Sequence, residues 1–220
     1  EMTRQAQAAA GVTSRWLDEN TLFVPGGQTY QSFEATAEAD WSQAGFWYAA
    51  DFLDSRVDIR GLNPDSAQGD KVVSELYWKL ARPGDAEIDV SGCPDLLPPL
   101  AVMAAVRSGV THFTHAGRLR MKESDRLQAV SQSLNALGAR VQELPDALQI
   151  TGVAQLQGGT AESFHDHRIA MMLAVAATCA AEPVVVQGAE CVQKSYPNFW
   201  EDYEALGGVI RREGRQTCSM

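Results

Sequence analysis

One segment concentrates the groups that could do chemistry. Arg118-Leu-Arg-Met-Lys122-Glu123-Ser124-Asp125-Arg126 holds four cations and two anions in nine residues, a local charge of +2 in a chain whose net charge is −10. Lysine is otherwise scarce, being found at Lys71, Lys79, Lys122 and Lys194. Leu127, Val130, Leu134 and Leu137 fall at helical spacing and predict a helix over 123–137 that stops at Gly138. Lys122, Glu123 and Arg126 then lie in or beside its first turn, with Glu123 and Arg126 three residues apart on one face. A helix start offers free N–H groups and partial positive charge to an anion. Arginine adds a planar fork for a carboxylate or phosphate, and lysine a mobile point charge. Glu123 among such cations stays ionised, so it serves as an acid only once a bound anion raises its pKa. The same residues also fit a solvated, salt-bridged helix start.

Three further clusters precede apolar runs. In His165-Asp166-His167-Arg168 the two histidines at i, i+2 do not share a helix face, and no other His or Cys is spaced to complete a zinc set. Asp166 as a helix cap, with His167 and Arg168 facing an anion, suits the spacing better. In Lys194-Ser-Tyr-Pro197, Pro197 suits the first position of a helix and Lys194 the loop entering it. In Ser91-Gly-Cys-Pro-Asp95, Asp95 reads either as a base or as a simple N-cap. If these helix starts converge, one site gains cations from Lys122, Arg126, Arg168 and Lys194, with His167 beside them. Asp95 and Glu123 would supply a carboxylate base and a carboxyl acid. Such a site suits a multiply anionic, phosphorylated substrate.

The elements that must position these groups repeat. Each of three segments opens on an aspartate and runs through an apolar helix, a short strand and a second helix. The intervals Asp40 to Leu80, Asp95 to Leu137 and Asp166 to Leu206 are 40, 42 and 40 residues. The first segment predicts helices over 41–53 and 70–80 with a strand over 57–62. The second predicts an apolar helix over 96–106, a strand over 111–114 and the helix over 123–137. Strands over 140–144 and 148–151 follow, parted by Pro145-Asp146. The third predicts helices over 169–180 and 198–206 around a strand over 184–187. Three such units predict one α/β domain with pseudo-threefold symmetry. Residues 1–38 stand outside the repeat, with a helix end over 2–11 and strands over 21–24 and 33–37.

Composition bounds the rest. A 220-residue chain of 23.9 kDa, 45% apolar and 21% charged, is ordinary globular material. Its longest uncharged apolar run, 169–181, is shorter than the roughly 20 residues a membrane span needs. With 18 basic against 28 acidic side chains, neither nucleic acid nor a membrane surface is an expected partner. Cys93, Cys179, Cys191 and Cys218 form no CxxC pair and, with no signal peptide, fit a reducing cytoplasm.

Lys122-Glu-Ser-Asp-Arg126, His165-Asp-His-Arg168 and Lys194-Ser-Tyr-Pro197, in that order, resemble the C-terminal half of the 5-enolpyruvylshikimate-3-phosphate synthase family. Tyr30-Gln-Ser, Asp40 and Gln68-Gly-Asp70 fit the same register, so the resemblance covers essentially the whole chain. It implies one half of a two-domain inside-out α/β barrel, each domain built from three βαβαββ units. It implies transfer of enolpyruvyl from phosphoenolpyruvate to the 5-hydroxyl of shikimate 3-phosphate in the shikimate pathway, with release of phosphate and no metal or organic cofactor. On that likeness Asp95 takes the proton from the attacking hydroxyl, and Glu123 protonates the phosphoenolpyruvate methylene with help from Lys194. Arg126, His167, Arg168 and Lys194 hold phosphoenolpyruvate, and Lys122 reaches shikimate 3-phosphate. Family members are about twice as long, and their extreme N-terminus lends a strand to the C-terminal domain. The likeness therefore implies a half-site with an open sheet edge, inactive without the N-terminal domain. Residues 1–38 would be that domain's tail and the crossing segment, and 39–220 the C-terminal domain. The related UDP-N-acetylglucosamine enolpyruvyl transferase and a non-catalytic anion-binding remnant are the alternative readings.

Overall fold

Two helices that are apolar on nearly every side have to be covered all round, and the architecture follows from covering them. The computed structural model describes residues 1–212. Ahead of the repeats lie α1 (Met2–Ala9) and a two-stranded hairpin, β1 (Arg15–Trp16) with β2 (Leu22–Phe23). The first unit contributes α2 (Trp41–Ala50) and α3 (Val73–Ala81). The second contributes β3 (Ala86–Asp89), α4 (Leu97–Val106), β4 (Val110–Thr114), α5 (Arg126–Ala136), β5 (Arg140–Leu144) and β6 (Ala147–Thr151). The third contributes β7 (Gly159–Glu162), α6 (His167–Ala177), β8 (Val184–Gln187) and α7 (Phe199–Ala205).

The apolar helices α4 and α6 are buried along almost their whole lengths and pack on each other and on α2, with strands outside them. This is an α/β fold in which helices rather than a sheet form the centre. Gly45 permits the close approach of α2, because a Cβ there would sit 2.9 Å from Leu96 Cδ2 and 3.4 Å from Pro99 Cγ. The outer helices close the remaining gaps. In α5 the stripe Leu127, Val130, Leu134, with Leu137 just beyond, is fully buried. In α7 Phe199 stacks on Trp47 of α2 at 5.6 Å.

The second unit forms a complete mixed sheet in the order β3-β4-β6-β5, parallel between β3 and β4 and antiparallel elsewhere. Its register lines up Ile88, Phe113 and Leu148, all fully buried, in one cross-strand row. Among the described residues the third unit has the parallel pair β7 and β8 and one lone parallel bridge, Leu156 to Ala180. Residues 57–62 of the first unit join no ladder among the described residues, with Gly61 at a positive φ of 81°, and residues 33–37 form no strand either. Burial alternates over 57–60, with Val57 and Ile59 partly buried and Asp58 and Arg60 exposed, and the pattern breaks at exposed Gly61 before partly buried Leu62. What is absent among the described residues is a neighbouring strand to complete a ladder.

Two helix starts also differ from the sequence expectation. Asp125, not Glu123, opens α5: its carboxylate accepts from Gln128 N at 3.1 Å, so Lys122 and Glu123 stand just before the helix. The preceding turn, Gly117–Met121, is a short 3₁₀ stretch. Pro197 falls two residues short of α7, whose first residue is Phe199. Asp40 and Asp166 do cap α2 and α6, accepting from Ser42 N and Gln43 N, and from Arg168 N. Cys218 lies outside the described residues.

Candidate active site

The starts of α2, α4, α5 and α6 meet, and an arginine from one of them binds carboxylates from three places. Arg126 follows the Asp125 cap as the first residue of α5, with its side chain only 1% exposed. Its Nε donates to Asp166 Oδ2 at 2.7 Å, Nη1 to Asp95 Oδ1 at 2.7 Å and Nη2 to Glu123 Oε2 at 2.6 Å. Asp166 is wholly buried and also accepts from Ser124 Oγ at 3.1 Å. It therefore does two jobs, capping α6 and holding Arg126.

Asp95 does not cap a helix. It sits in the 3₁₀ turn Pro94–Leu96 before α4, with no side-chain cap bond. Its carboxylate gathers Arg126, Arg168 (Nη2 to Oδ2, 3.1 Å) and Lys122 (Nζ to Oδ1, 3.3 Å). Glu123 is held by Arg126 on one oxygen and approached by Lys194 Nζ at 3.4 Å on the other. Lys194 ends the 3₁₀ turn Ala189–Lys194 and is well exposed. All seven residues named from the sequence thus come together: Asp95, Lys122, Glu123, Arg126, His167, Arg168 and Lys194. Arg120 leaves the group, binding Asp125, Glu143 and the carbonyls of Leu144 and Pro145.

The charges set the resting protonation. Burial pushes the Asp95 carboxyl up, but Arg168, Arg126 and Lys122 outweigh it and hold it below its ordinary value. Burial also raises Glu123, and its own backbone N–H with Arg126, Lys194 and His167 outweighs that. Both carboxylates are therefore ionised near neutral pH. Burial, then Arg168, press His167 down from its ordinary value, so its ring is neutral near pH 7.

Two buried polar atoms have no partner in this network, His167 Nδ1 and Arg168 Nη1. The nearest acid to the histidine, Asp166 Oδ1, is 3.9 Å from Nδ1, beyond hydrogen-bond reach. A buried polar atom left unmet costs about 1–3 kcal/mol, and a neutral imidazole donates from Nδ1 when its one N–H is placed there. Side by side on α6 and ringed by cations, these two atoms are the fitting place for an anion's oxygens.

Sequence reasoning missed the uncharged members. Ser42 Oγ accepts from Arg168 Nη2 at 3.1 Å, and Gln43 Nε2 donates to the Ser195 carbonyl at 2.8 Å. Neither has a spacing signature, because each partner lies more than a hundred residues away. Asp70, which the sequence marks as a helix start and as part of the Gln68-Gly-Asp70 likeness, carries no site role there. It stands half-buried in an open cleft of about 470 Å³ lined also by Asp40, Ser42 and Gln68. Burial, then Asp95, push its carboxyl up to about 6.

The model of the EPSP synthase (3-phosphoshikimate 1-carboxyvinyltransferase) family matches residues 7–203. The 3-phosphoshikimate 1-carboxyvinyltransferase of Clostridium acetobutylicum is 44% identical over 203 residues, covering 86% of this chain and 47% of that protein. The enzyme of the same name from Clostridium perfringens strain 13 is 40% identical over 219 residues, covering 92% and 52%. The solved EPSP synthase of Acinetobacter baumannii superposes with a TM-score of 0.80 at 25% identity, over 96% of this chain and 55% of that one. The enolpyruvyl transferase NikO of Streptomyces tendae shares the fold, with a TM-score of 0.68 at 17% identity over 94% and 52%. The chain spans about half the length of the curated relatives it matches. With that family model matching residues 7–203, the chain belongs to the EPSP synthase family.

Proposed function

We propose that this chain is the C-terminal half-site of a 3-phosphoshikimate 1-carboxyvinyltransferase, acting on phosphoenolpyruvate and shikimate 3-phosphate. The observation that carries the reading is the pair of buried, unpartnered atoms His167 Nδ1 and Arg168 Nη1 beside Arg126 and Lys194. Phosphoenolpyruvate, with a carboxylate and a phosphate, supplies the anionic oxygens that such a pair lacks. Its arrival raises the pKa of every nearby acid.

The proton transfers follow from the resting charges. Asp95, ionised and held by three cations, takes the 5-hydroxyl proton as that oxygen attacks C2 of phosphoenolpyruvate. Glu123 becomes protonated in the field of the bound anion and delivers the proton to C3. The tetrahedral adduct then eliminates: Glu123 removes a proton from the new methyl group and Asp95 returns its proton to the departing phosphate. Acid and base so exchange roles between the two halves of the reaction. Arg126, Arg168, His167 and Lys194 stabilise the charge that collects on the phosphate, and Lys122 meets the 3-phosphate of the acceptor.

We place residues 1–38 as the crossing from the portion of the relatives that this chain does not span, and 39–220 as the C-terminal domain. The unladdered stretch 57–62 supports a strand being supplied from outside this chain. The three cysteines among the described residues, Cys93, Cys179 and Cys191, are free, which supports a reducing cytoplasm.

The test is phosphate release from phosphoenolpyruvate and shikimate 3-phosphate. The chain alone is expected to be silent and to become active with the N-terminal half of the C. acetobutylicum relative. Release by the chain alone would overturn the half-site. Silence on mixing, together with no phosphoenolpyruvate binding, would overturn the assignment of the cations.

A further inference from the structure

Helix α2 contains no charged residue, yet its first turn touches both stretches of the third unit that carry site cations. We propose that this turn positions Arg168 and Lys194, with Ser42 and Gln43 as the two positioning residues. The proposal rests on the reading of the cation cluster as a phosphoenolpyruvate site.

Ser42 is buried and uses its hydroxyl twice. Oγ donates to Asp40 Oδ1 at 2.8 Å and accepts from Arg168 Nη2 at 3.1 Å. A hydroxyl is suited to this because it can donate and accept at once. With Ser42 and Asp95 both on Nη2, the guanidinium is held at one end, and Nη1 is the nitrogen left unpartnered. Ser42 therefore helps to decide which Arg168 nitrogen is offered to the anion.

Gln43 acts on the other cation through the backbone. Its Nε2 donates to the Ser195 carbonyl at 2.8 Å and to Ser195 Oγ at 3.1 Å, next in sequence to Lys194. Among the described residues the Lys194 ammonium has only the exposed contact with Glu123, a type of pair that holds a side chain weakly. The base of the lysine is thus tied to α2 while its tip stays mobile.

The two residues can be removed without undoing the helix. Asp40 caps α2 through the backbone N–H groups of Ser42 and Gln43, which survive any side-chain change there.

Phosphoenolpyruvate titrated into the 220-residue chain by calorimetry gives the first readout. Arginine side-chain resonances of the ¹⁵N-labelled chain, without ligand, give the second. Ser42→Ala and Gln43→Met should each weaken binding about tenfold, the loss of roughly one charge-assisted or bifurcated contact. Ser42→Thr, which keeps the hydroxyl, should restore wild-type affinity, and melting temperatures should stay together. Wild-type affinity in both Ser42→Ala and Gln43→Met overturns the proposal. If the wild-type chain binds no phosphoenolpyruvate, the anion-site reading fails on its own, and the resonances still decide positioning. Arg168 Nη signals that broaden or average in Ser42→Ala support it; signals that superpose on the wild type overturn it.

Discussion

Two buried arginines in this domain are used in opposite ways. Arg107, just after α4, donates to the carbonyl oxygens of Leu80, Arg82 and Gly84 and to Thr111 Oγ1. Its acceptors are neutral, and it ties the end of the first unit to the start of the second. Arg126 donates to three carboxylates, and two of those, Asp95 and Glu123, are themselves partly open to solvent. A buried cation with neutral acceptors is a fastening, and burial lowers its pKa. A buried cation among carboxylates is a means of keeping acids ionised and in place, and those acids outweigh burial and raise its pKa. The difference separates structure from site more sharply than burial does, since both side chains are nearly inaccessible.

Substitution should break this contrast at its strongest point first. Arg126→Met leaves Asp166, Asp95 and Glu123 without their common partner, and breaking buried pairs of this kind costs about 3–5 kcal/mol. Urea unfolding should show that loss, and the folded fraction should no longer bind phosphoenolpyruvate. Arg107→Met should cost about 2–3 kcal/mol in the same assay and leave phosphoenolpyruvate affinity unchanged in the folded protein. Equal losses of affinity in the two variants would erase the distinction.

Smaller effects sharpen it. Asp70 has a folded-state pKa of about 6 against 3.8 for the free side chain, so the native state holds its proton more tightly than the unfolded chain does. Its ionisation costs the fold nothing below pH 3.8, costs more as the pH climbs to about 6, and costs its full amount above that. Asp70→Asn should therefore stabilise the protein at pH 8, by about 1 kcal/mol after allowance for solvent screening, with no gain near pH 3.5. Denaturant midpoints at the two pH values check the sign. Lys194→Met should alter stability by less than about 0.5 kcal/mol, because its ion pair with Glu123 is exposed. In the enzyme completed with the other half it should nonetheless slow phosphate release about a hundredfold.

Charge was the most legible property of this sequence. The Lys122 to Arg126 cluster, His167 with Arg168, and Lys194 could be placed at one site because each precedes an apolar run. Only Arg126, His167 and Arg168 lie in the first turn of a helix, with Lys122, Glu123 and Lys194 in the turns ahead. Helices were legible for a related reason: Leu127, Val130 and Leu134 repeat at 3.6-residue spacing, and Asp40 and Asp166 mark two starts. Strands over 111–114, 140–144, 148–151 and 184–187 were legible too, and correspond to β4, β5, β6 and β8, but β3 and β7 were not. β3 and β7 are four residues each with a single buried side chain, Ile88 and Ala161, which is too little to register as alternation. Residues 57–62 failed in the opposite sense, since alternation describes a strand's two faces and says nothing about who lies alongside. Ser42, Gln43 and Ser124 escaped because a neutral hydrogen-bonding residue becomes part of a site only through where its distant partner lands.

The unladdered stretch also gives the molecule two clocks for isotope exchange. Among the described residues the backbone N–H groups of 57–62 have no protein acceptor, whereas those of β4 and β6 are locked in a four-stranded ladder behind α4. Deuterium should enter the first set at nearly the rate of an open peptide and the second only when the whole domain opens. A strand arriving from outside the chain would then announce itself as a slowing confined to residues 57–62, readable before any product is formed.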